Sequence, residues 1–241
     1  MKFSRRNLLT GAALALVGEQ AVRAGVISGQ LPWEPNAGDP PEAVREGPWM
    51  FFTDAEAAAV EALADRIIPP DPQTPGGKDA GCAVFIDRQL AGPYGRDEGL
   101  YNLPPFIKGS ENQGPQSAQN AGELYRSALA ALERYSQSHG GKSWAALSAD
   151  RQDDILQGLE SGAVELGGVD GKTFLKNCIK DMQEGFFADP IYGGNRDMCG
   201  WKMIGFPGAR YDYRDWVGRH NERYPHPPVS MQGRGEWRPK R

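Results

Sequence analysis

Cysteine and histidine are scarce in this chain, and their spacing excludes the common metal and haem sites. The 241 residues include three cysteines and three histidines. No Cys-x-x-Cys pair occurs, which excludes zinc ribbons and thioredoxin-type motifs, and the lack of Cys-x-x-Cys-His excludes covalently attached haem. His139, His220 and His226 do not have the i, i+4 spacing of a helical zinc site. We therefore expect this chain to hold no metal and no cofactor, and to have no catalytic site of its own.

Long apolar runs, an excess of basic charge and nucleotide motifs are also missing. No stretch approaches the roughly 18 consecutive apolar residues that a membrane span needs. The 31 acidic residues outnumber the 27 basic ones, for a formal net charge of -4, which argues against a nucleic-acid binder. There is no G-x-G-x-x-G fingerprint after a strand, no complete P-loop and no G-x-S-x-G elbow, which excludes a dinucleotide-binding fold, a P-loop nucleotide site and an α/β-hydrolase.

Strand-like alternation is nearly absent, and the apolar residues recur at helical spacing. The pattern predicts a small, irregular all-α domain of about five helices. The 31 glycines and 19 prolines predict long loops between them. The first helix is expected between a capping box at Thr53 and Glu56 and a stop at Pro69-Pro70. The second follows a cap at Asp79, and the third covers about 117–138 and ends at Gly140-Gly141. The fourth follows Ser148, and the fifth covers about 172–187.

The first 24 residues form a predicted export signal, and residues 25–241 form a single domain. Arg5 and Arg6 precede a weakly apolar stretch, and Val22-Arg23-Ala24 provides small residues for cleavage. The arginine pair with Ser4 and Leu8-Leu9 favours a twin-arginine signal, which exports folded proteins, over an ordinary secretory peptide with two chance arginines. We therefore expect a periplasmic protein. Residues 25–52 show no periodicity and predict an extended arm, which either packs on the surface or embraces a partner and is therefore an interface candidate.

Residues 189–213 combine glycines with aromatic residues and are the least helix-like part of the chain. Glycine permits close backbone approach, and tyrosine and tryptophan anchor interfaces. Two interpretations stay open: a partner interface, or a loop that seals the core of this same protein. The candidate interface residues are Tyr192, Gly193, Gly194, Asn195, Gly200, Trp201, Gly205, Phe206, Pro207, Gly208 and Tyr211.

The three cysteines are an odd number in a chain predicted to enter an oxidising compartment. Either one disulfide forms and one thiol stays free, or one cysteine bridges to another chain. Cys178 lies on an apolar helix stripe and is expected to be buried. Cys82 and Cys199 are the freer candidates for a disulfide or for a bridge between subunits.

The chain resembles the gluconate 2-dehydrogenase subunit 3 family, the small subunits of membrane-bound flavin-dependent gluconate dehydrogenases. The twin-arginine leader and two sequence blocks carry the resemblance, and the second block is the more specific. The first block is Phe52-Thr53 through Ile67-Ile68-Pro69 with Asp71, Gly81 and Phe85-Ile86-Asp87. The second is Asp189-Pro190, Tyr192-Gly193-Gly194-Asn195, Gly200-Trp201 and Ile204-Gly205-Phe206-Pro207-Gly208. The insert around residues 100–119 and the tail after Tyr213 depart from the family pattern.

The resemblance implies a non-catalytic subunit that supports the folding and export of a larger partner. That partner would be a flavoprotein that binds FAD and oxidises the substrate, and a multihaem cytochrome subunit with haem c would pass electrons towards membrane quinone. Contact with the membrane would come only through the complex. Related small subunits serve fructose, sorbitol, glucose and 2-ketogluconate dehydrogenases, so these substrates are alternatives to gluconate.

A stand-alone periplasmic enzyme is the competing hypothesis. Arg196, Asp197, His220 and His226 would have to build its site. No spacing between them matches a nucleophile with its base or a metal site. A solute-binding module is disfavoured because the α/β patterning of such proteins is missing.

Overall fold

The computed structural model describes residues 44, 47–100, 104–107, 109–110, 117–210 and 212–231. Within these residues the chain forms six α-helices and no β-strand. They are α1 (Asp54–Ile67), α2 (Cys82–Ala91), α3 (Ala121–Gly140), α4 (Ala149–Ser161), α5 (Gly171–Phe187) and α6 (Cys199–Ile204). The predicted all-α class is confirmed. The leader at 1–24 and most of the arm at 25–52 lie outside the described residues.

Helix α1 begins and ends where the sequence predicts. The Glu56 N–H donates to the Thr53 hydroxyl (3.3 Å), and the Glu56 carboxylate accepts from the Thr53 N–H (2.8 Å), which completes the capping box. The prolines at 69 and 70 follow the last turn directly and stop the helix because proline has no N–H to donate. Its apolar side faces the core through Val60, Leu63 and Ala64.

Helix α2 does not begin at a cap provided by Asp79, so that prediction is wrong. Its N-cap is Gly81, whose left-handed backbone (φ 82°) favours glycine, and no side chain caps the helix. A Cβ at this position would lie 2.6 Å from the Gly193 carbonyl oxygen. The start of α2 is therefore set by a close contact with a segment more than a hundred residues later, which local pattern cannot reveal.

The three following helices match the predictions with small shifts at their ends. Helix α3 starts at a capping box of Asn120 and Glu123, a few residues after the predicted start, and ends at Gly141 in the left-handed conformation (φ 67°). Helix α4 follows Ser148 as expected, and α5 is capped by Asp170. Ile179, predicted on the buried stripe of α5, is exposed.

One continuous apolar core holds the helices together. Helix α5 packs against α2 and α4, and α1 packs against α2. The largest fully buried side chains are Trp144, Tyr125 and Phe174. Tyr125 and Phe174 meet edge to face with ring centroids 5.5 Å apart, and the Trp144 Nε1–H donates to the Ala59 carbonyl oxygen (3.2 Å). The buried polar end of the indole is thus satisfied.

A buried carboxylate fixes the residues that lead into α1. Asp87 on α2 is fully buried. Its Oδ2 accepts from the Met50 N–H (2.9 Å), and its Oδ1 accepts from the N–H groups of Phe51 (3.0 Å) and Phe52 (2.9 Å). Arg88 forms an ion pair with the same carboxylate. The end of the predicted arm is therefore attached to the core by hydrogen bonds that any residue type at 50–52 could donate, except proline.

Candidate partner interface

The C-terminal Gly/aromatic segment folds into short turns and one short helix. Its elements are a 3₁₀ turn at Pro190–Tyr192, another at Arg196–Met198, and α6. The expectation that this segment is free of helix is wrong for α6. Left-handed backbone at Asn195 (φ 46°), Asp197 (φ 53°) and Met198 (φ 56°) reverses the chain directly before that helix.

Asn195 is the residue that organises the turn before α6. It is fully buried. Its Oδ1 accepts from the Gly200 N–H (2.9 Å), and its Nδ2–H donates to the Ala188 carbonyl oxygen (2.7 Å). One side chain thus joins the first turn of α6 to the end of α5. These bonds offset the cost of the left-handed backbone, of order 1–3 kcal/mol for each such residue.

Two glycines allow α6 and its preceding turn to lie directly on the end of α5. A Cβ on Gly194 would overlap the Gly185 carbonyl oxygen, and a Cβ on Gly200 would overlap the Phe186 carbonyl oxygen. Both obstacles are backbone atoms, which cannot move aside as a side chain would. Close backbone packing therefore explains these two glycines of the segment.

Trp201 lies inside this packing rather than on the surface. It is buried, and its Nε1–H donates to the Phe187 carbonyl oxygen (2.7 Å). Gly208, with φ at 79°, approaches Val229 so closely that a Cβ would overlap its carbonyl oxygen. The core-sealing interpretation therefore describes the inward half of the segment, formed by Gly194, Asn195, Gly200, Trp201 and Gly208.

The outward half of the same segment exposes large apolar side chains. Met203 and Ile204 project from α6, and Phe206 follows it and packs edge-on against Trp201 (centroids 5.1 Å apart). Phe187, whose carbonyl accepts from Trp201, is exposed to a similar degree. We name Phe187, Met203, Ile204 and Phe206 the α6 apolar surface. Phe206 was a sequence-predicted site residue, whereas the other three were not.

The remaining predicted interface residues are placed as follows. Tyr192 is 44% exposed in the adjacent turn, Gly193 (φ 96°) follows it, and Gly205 (φ 71°) terminates α6. Pro207 is half-buried. Tyr211 lies outside the described residues. Isolated exposed apolar residues are common on protein surfaces, whereas a contiguous apolar patch favours an interaction site.

The predicted arm and the Gly/aromatic segment meet in the structure. The Val44 N–H donates to the Ile191 carbonyl oxygen (2.9 Å), and the Val44 side chain lies against Gly193. At the other end of the described chain, the Met231 N–H donates to Asp189 Oδ2 (2.8 Å). Two separate predicted interface candidates are therefore adjacent, and the described chain begins and ends beside the same turn.

Comparison with known families shows to which family this chain belongs. The family model of gluconate 2-dehydrogenase subunit 3 matches residues 54–208, from the first residue of α1 to the glycine that packs on Val229. The chain belongs to the gluconate 2-dehydrogenase subunit 3 family. Membership in a family of dehydrogenase subunits implies a multi-subunit dehydrogenase complex. No curated protein and no solved structure matches the chain.

The structure gives a physical reason for a motif in this subunit 3 chain. The first resemblance block ends in Phe85-Ile86-Asp87. Ile86 is fully buried and Phe85 nearly so, while Asp87 accepts the three backbone bonds that attach residues 50–52. An aspartate on an apolar helix face indicates a buried hydrogen-bond acceptor, but the sequence does not show which backbone N–H groups donate to it.

All three cysteines of the subunit are free thiols and are buried. Cys82, one of the two freer candidates, is fully buried in the first turn of α2 and directs its thiol at the Met182 carbonyl oxygen (3.6 Å). Burial raises the pKa of Cys82 to about 12, and burial likewise raises the pKa of Cys178 and Cys199. No disulfide joins Cys82 and Cys199 in the structure, and the possible bridge to another subunit stays a prediction.

The residues proposed for a stand-alone enzyme do not line one common cavity. A cavity of about 620 Å³ next to α6 is lined by Arg196, Asp197, Asp79, Lys202 and neighbours, but not by His220 or His226. His226 instead packs edge-on against Tyr224 (5.4 Å between centroids). Across the part of the chain that the structure describes, no three His, Cys, Asp or Glu side chains are grouped to hold a metal ion, and no helix there could span a membrane.

Proposed function

We propose that this chain is the non-catalytic small subunit of a periplasmic, membrane-associated, FAD-dependent gluconate 2-dehydrogenase-type complex. Its role is to bind and stabilise a large flavoprotein subunit and to accompany it through twin-arginine export. FAD belongs to that partner, and haem c belongs to a multihaem cytochrome subunit. The family match over residues 54–208 is the observation that carries the proposal.

The α6 apolar surface supports a binding role. Each of its four side chains, those of Phe187, Met203, Ile204 and Phe206, is more than a third exposed. The glycines and Asn195 behind them are closely packed against the backbone of α5. A rigid scaffold under exposed apolar side chains is the usual construction of a protein interface, because little conformational freedom is lost on binding. An interface of roughly 2,000 Å² or more is expected for an obligate complex.

Export and stabilisation follow from the same interaction. The arginine pair Arg5-Arg6 would direct this chain to a pathway that accepts folded cargo, and a bound partner would be carried with it. Binding to the folded state of the partner also shifts its folding equilibrium by mass action. Gluconate is the leading substrate, and fructose, sorbitol, glucose and 2-ketogluconate are alternatives that related small subunits support.

Purification of the full chain from its native host tests the proposal. We expect a tagged chain to elute with a large subunit that shows flavin absorbance, with haem absorbance from the cytochrome, and with gluconate-dependent reduction of an artificial acceptor. An isolated chain that oxidises a sugar acid without flavin would instead establish the stand-alone enzyme.

The α6 apolar surface gives this experiment a matched pair of variants. Ile204→Ser with Phe206→Ser should lower the flavoprotein recovered per mole of bait at least tenfold, since burial of two such side chains at an interface contributes about 1–2 kcal/mol or more. Ile107→Ser removes an apolar residue that is even more exposed than Ile204 and Phe206 but lies outside the segment, and it should leave recovery unchanged. Equal effects of the two changes would argue against a role of this surface.

A further inference from the structure

Asp181 is a buried carboxylate that the proposed binding function does not use. It lies on α5 with 2% of its surface exposed. The Tyr125 hydroxyl on α3 donates to its Oδ2 (2.7 Å), and the Tyr94 hydroxyl lies 3.0 Å from Oδ1 and 3.1 Å from Oδ2. Two phenols from two different parts of the chain therefore converge on one carboxylate and join α3 and the turn at 94–96 to α5.

No cation balances this carboxylate at close range. Within the described ranges, no Lys, Arg or His nitrogen forms an ion pair with Asp181; Lys180, its neighbour in sequence, pairs instead with Glu184 (3.3 Å). Phe85, Ile86 and Gln89 of α2 line the small cavity of about 30 Å³ beside it, and none of them titrates. An ionised carboxylate in such a place carries a desolvation cost, which the two hydroxyl donors and the charge of Lys180 offset only in part.

The charged groups near Asp181 act in both directions: Lys180 favours its ionised form, whereas Glu184 favours its neutral form. Cys178 lies one turn earlier on α5 and contacts Tyr125, while Glu184 on α5 and Asp97 near Tyr94 are acidic. Burial, as the largest cause, raises the pKa of Asp181 above that of an ordinary aspartate. Burial also raises the pKa of Tyr94 and Tyr125, so both phenols remain protonated.

We propose that the Asp181–Tyr94–Tyr125 cluster is a proton-responsive clamp, which holds α3, α5 and the turn at 94–96 together more firmly when mild acidification protonates Asp181. The sign follows from linkage: the folded chain keeps this proton at pH values where the unfolded chain has lost it. The unfolding free energy contributed by this group therefore falls as the pH rises from about 3.9, the usual value for aspartate, to the raised pKa, and is constant above it.

Such a clamp would suit the periplasmic location that we propose, where the pH follows that of the external medium. In most folds, paired carboxylates lose stability as they take up protons. Asp181 works in the opposite direction and offsets part of that loss. This inference concerns the isolated fold and stands independently of the proposed partner.

Comparison of Asp181→Asn with the unaltered full chain tests the clamp. The urea midpoint of each should be measured from pH 4 to pH 7.5 at constant ionic strength. We expect the midpoint of the unaltered chain, relative to that of Asp181→Asn, to fall as the pH rises from 4 and to become constant once the pH exceeds the raised pKa of Asp181. Asp154→Asn, which alters an exposed carboxylate paired with Arg151, should give a curve without that fall. A midpoint difference that is constant, or that grows with pH, overturns the proposal.

A second measurement covers the case in which Asp181→Asn does not fold. The side-chain carboxyl carbon of Asp181 in the unaltered chain can be followed by ¹³C NMR against pH. A titration midpoint above the ordinary aspartate range is expected, and Tyr94→Phe should raise it further because one donor to the ionised form is lost. A midpoint at or below the ordinary range, or no response to Tyr94→Phe, overturns the proposal.

Discussion

Asp87 is the single side chain on which the connection between the arm and the helical body depends most. Three successive backbone N–H groups donate to its carboxylate within 2.9–3.0 Å, and the residue is completely buried. Removal of this carboxylate leaves three backbone donors without an acceptor. The aspartate could be recognised in the sequence as out of place on an apolar helix face, but its donors lie 35–37 residues earlier and could not be identified.

We expect Asp87→Asn to destabilise the chain by about 2–4 kcal/mol. The substituted amide keeps one acceptor oxygen but places an NH₂ group against backbone donors that need an acceptor. Urea unfolding of the full chain measures the loss. The control is Asp153→Asn, which removes a half-exposed carboxylate 3.6 Å from Arg66 and should cost less than about 1 kcal/mol. Similar losses in both variants would mean that burial at Asp87 is unimportant.

At the scale of secondary-structure elements, helices with side-chain caps were predictable and those set by tertiary contacts were not. The capping box at Thr53 and the glycine pair at 140 and 141 are local signals, and α1 and α3 begin or end there. Helix α2 starts at Gly81 and α6 starts after left-handed residues, and both starts depend on the contact between residues 193–200 and the ends of α2 and α5. A glycine-rich sequence predicts close approach, but not which backbone is approached.

Gly194→Ala should separate α5 from the turn before α6. The new methyl group would overlap the Gly185 carbonyl oxygen, and relief of this overlap should cost about 2–3 kcal/mol as an overpacking change. Gly218→Ala is the matched control because no heavy atom lies within 4 Å of its Cβ position; its effect should stay within about 0.5 kcal/mol. Urea unfolding compares the two variants, and a neutral Gly194→Ala would show that the two backbones can move apart freely.

At the scale of the whole molecule, the sequence predicted the all-α fold class and singled out residues 189–213 as the candidate interface segment. It did not show which side of that segment faces solvent. Trp201 and Phe206 are both aromatic residues in the same block. The structure buries Trp201 with its indole N–H bonded to a main-chain oxygen, whereas Phe206 remains outside, and the burial of α6 against α5 decides between them. The exposed aliphatic residues Met203 and Ile204 carried no signal in the sequence, since similar residues line the core elsewhere.

The proposed export role has its own test. We expect Arg5→Lys with Arg6→Lys to retain both this chain and its flavoprotein partner in the cytoplasm, because a twin-arginine signal requires the arginine pair. Cell fractionation followed by a gluconate-dependent dye-reduction assay measures the distribution, and an unaltered leader is the control. Normal periplasmic activity with the double lysine variant would contradict the escort role.

The anchoring of Val44 and Met231 beside Asp189 and Ile191 has a practical consequence for anyone who attaches a label to this protein. A fluorophore attached at Val44 or Met231 would lie beside the turn at residues 189–193, which holds candidate interface residues, and would compete with whatever binds there. The glycines at 162, 167 and 168 form an open turn with no atoms near their Cβ positions, at the far end of the 17-residue helix α5, about 25 Å away along its axis. A tag inserted there should report on assembly without obstructing it.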